Sequence, residues 1–173
     1  YPVISTFREG YPRLSILHFD AHPDLYDELQ GNKFSHASPF ARIMENNLVD
    51  HITQIGIRGM NGHQRKQAQR FGIQVHEMKE IDRNIKLKFS DPLYISFDID
   101  ALDPAFAPGV SHFEPGGLST RQALQFIHSI QAPKIVGCDL VEYNPDRDPT
   151  GVTAMTCAKI LKEIVGKMYT CNF

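Results

Sequence analysis

The run Ile16-Leu17-His18-Phe19-Asp20-Ala21-His22-Pro23-Asp24 restricts what this chain can become more than any other stretch. A largely apolar segment ends abruptly in Asp20, His22 and Asp24, three metal-capable side chains spaced two apart. In extended backbone, alternate residues point the same way. A strand leaving its sheet here therefore aims two carboxylates and an imidazole at one point. Leu93-Tyr94-Ile95-Ser96-Phe97-Asp98-Ile99-Asp100 repeats the design, an apolar run closed by carboxylates two apart. Gathering Asp20, Asp24, Asp98 and Asp100 without a cation would raise their pKa values and destabilise the fold. Two divalent cations neutralise such a cluster, and mixed carboxylate and imidazole donors suit Mn2+ better than Zn2+. Asp103, which precedes Pro104, is read instead as a turn former.

Around these two stretches, strand-like and helix-like segments alternate. The tail of a helix is expected over 1–8, stopped by Gly10 and Pro12, and strands over 13–20, 51–58, 73–76, 93–100 and 134–142, the last one buried. Ser38 caps a helix with Pro39 at its first position. A basic, solvated helix over 61–71 closes at Gly72, another starts at Ser119, and a final one covers 152–168. The charged segment 79–88 reads as surface helix and loop. Residues 23–38 have little periodicity, and a loop of that length in a compact domain is usually functional or disordered. Nearly continuous apolar strands separated by helices predict an α/β fold, a parallel sheet covered on both faces. In such sheets ligands bind beyond the carboxyl ends of the strands. Asp20, Asp98 and Glu142 all stand at strand ends, which predicts one shared site.

With 173 residues and 42 % hydrophobic content, the chain can bury one sizeable core, and a single domain is expected. A net charge of −2 gives no reason to expect nucleic acid. No apolar run approaches the roughly 20 residues of a membrane span. Three cysteines without CxxC spacing fit a reducing compartment, and a cytoplasmic location is expected, with organellar targeting as the alternative. Cys138 and Cys157 read as small buried hydrophobes. His18 reads as a packing residue, and His51, His63, His76 and His128 as surface or core histidines. His112 lies in the Pro- and Gly-rich loop 101–118, beside the expected site.

The motifs Asp20-Ala21-His22-Pro23-Asp24, Ser96-Phe97-Asp98-Ile99-Asp100, Asp103-Pro104-Ala105-Phe106-Ala107-Pro108-Gly109, Gly116-Gly117-Leu118 and Gly137-Cys138-Asp139-Leu140-Val141-Glu142-Tyr143-Asn144-Pro145 follow one another in the chain. In that order they resemble the ureohydrolases, the arginase/agmatinase family of Mn-dependent enzymes that release urea from guanidino compounds. The wording around Gly31-Asn32-Lys33-Phe34-Ser35-His36-Ala37-Ser38 and Val110-Ser111-His112-Phe113-Glu114-Pro115 looks most like plant-type arginases.

The resemblance implies a three-layer α/β/α fold with a mainly parallel sheet, of the arginase/deacetylase type. It implies two Mn2+ per site, with Asp20 and Asp98 touching both, His22 and Asp100 completing one, and Asp24 belonging to the other. A bridging hydroxide would attack the guanidinium carbon, Asp100 would pass its proton to the leaving nitrogen, and His36 would shuttle protons. Glu142 would pair with the planar guanidinium. A trimer or hexamer is implied as well.

Two departures from the family pattern stand out. The family's first metal histidine comes from a Gly-Gly-Asp-His segment without counterpart here, so the chain is expected to lack N-terminal strands. Tyr26 and Gln30, with Gly59-Met60-Asn61, replace the animal-type contacts to an amino acid's carboxylate and amine. Agmatine therefore stands beside L-arginine as the expected substrate. A truncated or non-catalytic family member, or a deacetylase on the same fold, are the alternatives.

Overall fold

The computed structural model describes residues 1–81 and 85–172. Strands β1 (Ser15–Phe19), β2 (His51–Ile57), β3 (Gln74–Glu77), β4 (Leu93–Asp98) and β5 (Ile135–Val141) form one sheet. Their order is β3-β2-β1-β4-β5, and each pairing is parallel. Helix α1 (Pro2–Gly10) precedes them, α2 (Pro39–Glu45), α3 (Gly62–Phe71) and α4 (Thr120–Ser129) run between them, and α5 (Val152–Asn172) follows.

The strands sort their side chains by period two. Ile16, Ile52 and Tyr94 pack with Ile4 of α1, Phe40 and Ile43 of α2 and Ala68 of α3. Leu17, Phe19, Ile55 and Phe97 pack on the other side with Ala123 and Ile127 of α4 and Ile160 and Ile164 of α5. The result is the expected α/β/α arrangement, a parallel sheet with helices on both faces. No helix among the described residues is long and apolar enough to cross a membrane.

Helix ends follow local chemistry. Asn61 accepts from the Gln64 N–H while the Gln64 side chain accepts from the Asn61 N–H, and Ser119 with Gln122 does the same for α4. Gly72 ends α3 in the left-handed region at φ 64. Ser38 precedes Pro39 as expected but does not cap with its side chain; its Oγ lies 2.9 Å from Ser35 Oγ.

Two expectations need correction. Among the described residues β5 is an edge strand paired only with β4, and of its residues only Ile135 is buried while Val141 is exposed. In the charged segment 79–88, Met78–Glu80 forms a single 3-10 turn, and Asp82, Arg83 and Asn84 lie outside the described residues.

Candidate metal centre

β1 and β4 are adjacent and in register, Phe19 against Phe97. Their carboxyl ends therefore deliver Asp20 and Asp98 side by side. Asp20 is 2 % exposed, Asp98 6 % and Asp100 5 %. Asp100 lies in a 3-10 turn, Ile99–Ala101, where its N–H donates to Asp98 Oδ1 at 2.8 Å. One oxygen of Asp100 accepts from the Ala21 N–H at 3.0 Å; the other lies 3.1 Å from His22 Nδ1. His22 Nδ1 is also 3.5 Å from Asp20 Oδ1. Donor atoms of Asp20, His22 and Asp100 all fall within 4.8 Å of one another.

Asp24 and Asp98 stand outside that three-membered group. They line a cavity of about 240 Å³ together with Asp20, His36 and Glu142. Asp20 thus belongs to both sets, and the six other site residues named from the sequence each fall in one of them. His36 and Glu142 lie at the exposed rim. Asp24 and Glu142 adopt positive φ, 52° and 65°. For residues other than glycine, such backbone is strained by about 1–3 kcal/mol, and strain of this kind clusters at functional sites.

The electrostatics fit a bound cation. Burial, together with Asp20 and Asp100, pushes the Asp98 carboxyl well above the usual carboxylate range. Burial and the Asp20 charge do the same to Asp24. His22 is pushed up to about 10, chiefly by its hydrogen bonds to Asp100 and Asp20. Burial works to raise Asp20 too, but the His18 and His22 contacts outweigh it and hold that carboxyl below its ordinary range. Without a metal the cluster thus retains protons that a divalent cation would displace. Buried carboxylates plus one imidazole form a hard donor set of the kind Mn2+ accepts.

Several supporting residues escaped the sequence reading. His18 is not a mere packing residue: it is 2 % exposed and its Nε2 lies 2.9 Å from Asp20 Oδ2. Residues i and i+2 of a strand share a face, so the spacing itself carried that signal. Arg58 donates to the main-chain carbonyls of Asp100 (2.8 Å), Gly56 (3.1 Å), Ala101 (3.3 Å) and Glu114 (2.8 Å from Nε). It ties the end of β2 to the Asp100 turn and to the loop over the site. Gly59 lets the His22 ring approach; a Cβ there would stand 2.7 Å from His22 Cδ2.

Asp103 is the turn former expected, accepting from the N–H groups of Ala105 (2.9 Å) and Gly116 (2.6 Å). The exposed His112 lies over His36 with ring centroids 6.3 Å apart. Cys138 and Cys157 are half-buried rather than buried, packed against the core.

The description of the arginase family matches residues 1–166. The chain belongs to the arginase family. It is 49 % identical to Arginase 1, mitochondrial, of Arabidopsis thaliana, over 97 % of this chain and 52 % of that protein. The human guanidino acid hydrolase, mitochondrial, is 37 % identical over 95 % and 51 %. Among solved structures, the arginase from Medicago truncatula superposes with a TM-score of 0.92 at 45 % identity, covering 97 % of this chain and 55 % of that one. A triple mutant of the T. brucei arginase-like protein, bound with Mn2+, gives 0.86 at 32 % identity over 96 % and 56 %.

This arginase-family chain spans about half the length of the curated relatives it matches. The mitochondrial names of these relatives overturn the expected cytoplasmic location. Cysteine usage misled that expectation, because a reducing environment is not confined to the cytoplasm.

Proposed function

We propose that this protein hydrolyses a guanidino compound to urea and an amine at a centre of two Mn2+ ions held by Asp20, His22, Asp24, Asp98 and Asp100. The observation that carries the reading is the double membership of Asp20. It meets His22 and Asp100 on one side and shares the cavity with Asp24, Asp98 and Glu142 on the other. When bound, divalent manganese lowers the pKa of water enough to supply a nucleophile near neutral pH.

The chain's own residues do the rest. Glu142, at the cavity rim, accepts two parallel hydrogen bonds from the planar guanidinium and so presents its carbon to the buried acids. Asp100 takes the proton of the attacking water. As the carbon–oxygen bond forms and the carbon–nitrogen bond breaks, that proton passes to the leaving nitrogen. The exposed His36 carries protons between cavity and solvent. Burial of Asp20, Asp98 and Asp100 keeps bulk water out and strengthens each of these interactions.

L-Arginine is the first substrate, following the relatives named arginase. Agmatine is the second reading, favoured by Tyr26: its hydroxyl accepts from Asn61 Nδ2 at 2.7 Å, joining two of the positions that depart from the animal-type pattern. A homo-oligomer and an organellar setting belong to the same proposal. Urea release from each substrate by the Mn-loaded protein tests it. Release by the wild type and loss of about a thousandfold or more in Asp98→Asn is the expected result. A wild type that takes up Mn2+ yet releases no urea from either compound would contradict it.

A further inference from the structure

We infer that Gln54 selects the tautomer of His18 and thereby fixes Asp20, which makes Gln54 and His18 positioning residues of the metal centre. The inference rests on the metal reading above and extends it to two residues that hold no metal themselves.

The parallel register of β1 and β2 places Gln54 directly beside His18. Gln54 is 0 % exposed and His18 2 %. Gln54 Nε2 lies 2.8 Å from the Pro23 carbonyl oxygen and 3.1 Å from His18 Nδ1. A main-chain carbonyl can only accept, so the amide nitrogen rather than the amide oxygen must face Pro23. The second amide hydrogen then points at His18 Nδ1, which receives it only as a bare lone pair. The ring proton must therefore sit on Nε2, 2.9 Å from Asp20 Oδ2. The His22 N–H donates to the other oxygen of Asp20 at 2.6 Å. Asp20 Oδ2 is thus oriented by His18 and Oδ1 by His22.

Two further observations agree. Gln54 Oε1 is buried with no hydrogen-bond partner among the described residues, so the amide is held by what its nitrogen reaches. The same nitrogen holds the carbonyl between His22 and Asp24, the turn in which Asp24 is kept at φ 52. One amide therefore steadies both the strand end and the ligand-bearing turn. Partners that orient metal ligands in this way typically change metal affinity 10–100-fold when removed.

The test needs no variant at first. Nitrogen NMR of histidine-labelled, metal-free wild type is expected to show His18 protonated on Nε2 and bare on Nδ1; the opposite tautomer would overturn the inference. Binding of Mn2+, followed by its own paramagnetic resonance, is then compared with Gln54→Leu, in which both donors are gone. About 10–100-fold weaker binding with an altered His18 tautomer is expected; unchanged affinity would overturn it. Should Gln54→Leu fail to fold, His18→Gln and His18→Phe take its place. The amide variant, which keeps a donor toward Asp20, should bind Mn2+ more tightly than the phenyl variant, and equal affinities would count against the inference. No Mn2+ uptake by the wild type would overturn the metal reading itself, and the NMR result separates that failure from a wrong tautomer.

Discussion

Arg58 donates to the main-chain carbonyl oxygen of Asp100 at 2.8 Å while the Asp100 carboxylate, on the far side of the same residue, faces His22. The guanidinium spends its donors on carbonyls of the turn, of the β2 end and of the loop at Glu114. Its task is to hold backbone. Replacing it with Met leaves several half-buried carbonyls without donors, and we expect a loss of about 2–3 kcal/mol in urea denaturation. Arg58→Lys should recover only part of this, since one ammonium cannot span the same carbonyls.

Gly59→Ala tests how tightly the His22 ring is fitted. The added methyl would lie 2.7 Å from Cδ2 and 3.1 Å from Nε2, inside contact distance, so the ring must shift from its present place against Asp20 and Asp100. Mn2+ affinity should fall about tenfold or more while the unfolding midpoint moves little. A Mn2+ titration of the variant checks it.

The protonation of His22 gives metal binding a definite pH dependence. Its pKa is pushed up to about 10 by Asp100 and Asp20, so at neutral pH the metal must displace a proton. Apparent Mn2+ affinity should therefore rise with pH, by up to about tenfold per unit for each proton released. Calorimetric titrations in buffers of different ionisation enthalpy count those protons. For stability of the metal-free protein the sign is opposite. A histidine raised from about 6.5 contributes stability that is complete below that value and lost as the pH climbs through about 10.

Asp98→Asn separates stability from function. The carboxyl is buried beside Asp20 and Asp100, which push its pKa up, while an amide oxygen can still accept from the Asp100 N–H. The metal-free variant should be more stable by about 1 kcal/mol, or about 2–4 °C in Tm for a chain of this size. Added Mn2+ should raise the Tm of the wild type and leave that of the variant where it was. Thermal scans with and without Mn2+ decide it.

Much of this was legible locally. Apolar runs closed by Asp20 and by Asp98 fixed both the central strands and the acids at their ends, because strand period and ligand spacing coincide. Asn61 and Ser119 marked helix starts through their own side chains. What stayed hidden depends on register and packing. His18 reads as a packing residue until the strand face it shares with Asp20, two places on, brings the two side chains together. Its pairing with Gln54 exists only once β1 and β2 align. Arg58 reads in sequence as a polar strand end, and besides Gly56 its carbonyl partners come from segments more than 40 residues away. The edge position of β5 follows from sheet order, which no local pattern encodes.

The most direct test is the Mn2+ content of the wild type and of Asp98→Asn after dialysis against Mn2+, measured by elemental analysis. The account predicts about two Mn2+ per wild-type chain and a clear loss in the variant. Equal metal content in both, or none in the wild type, would contradict it.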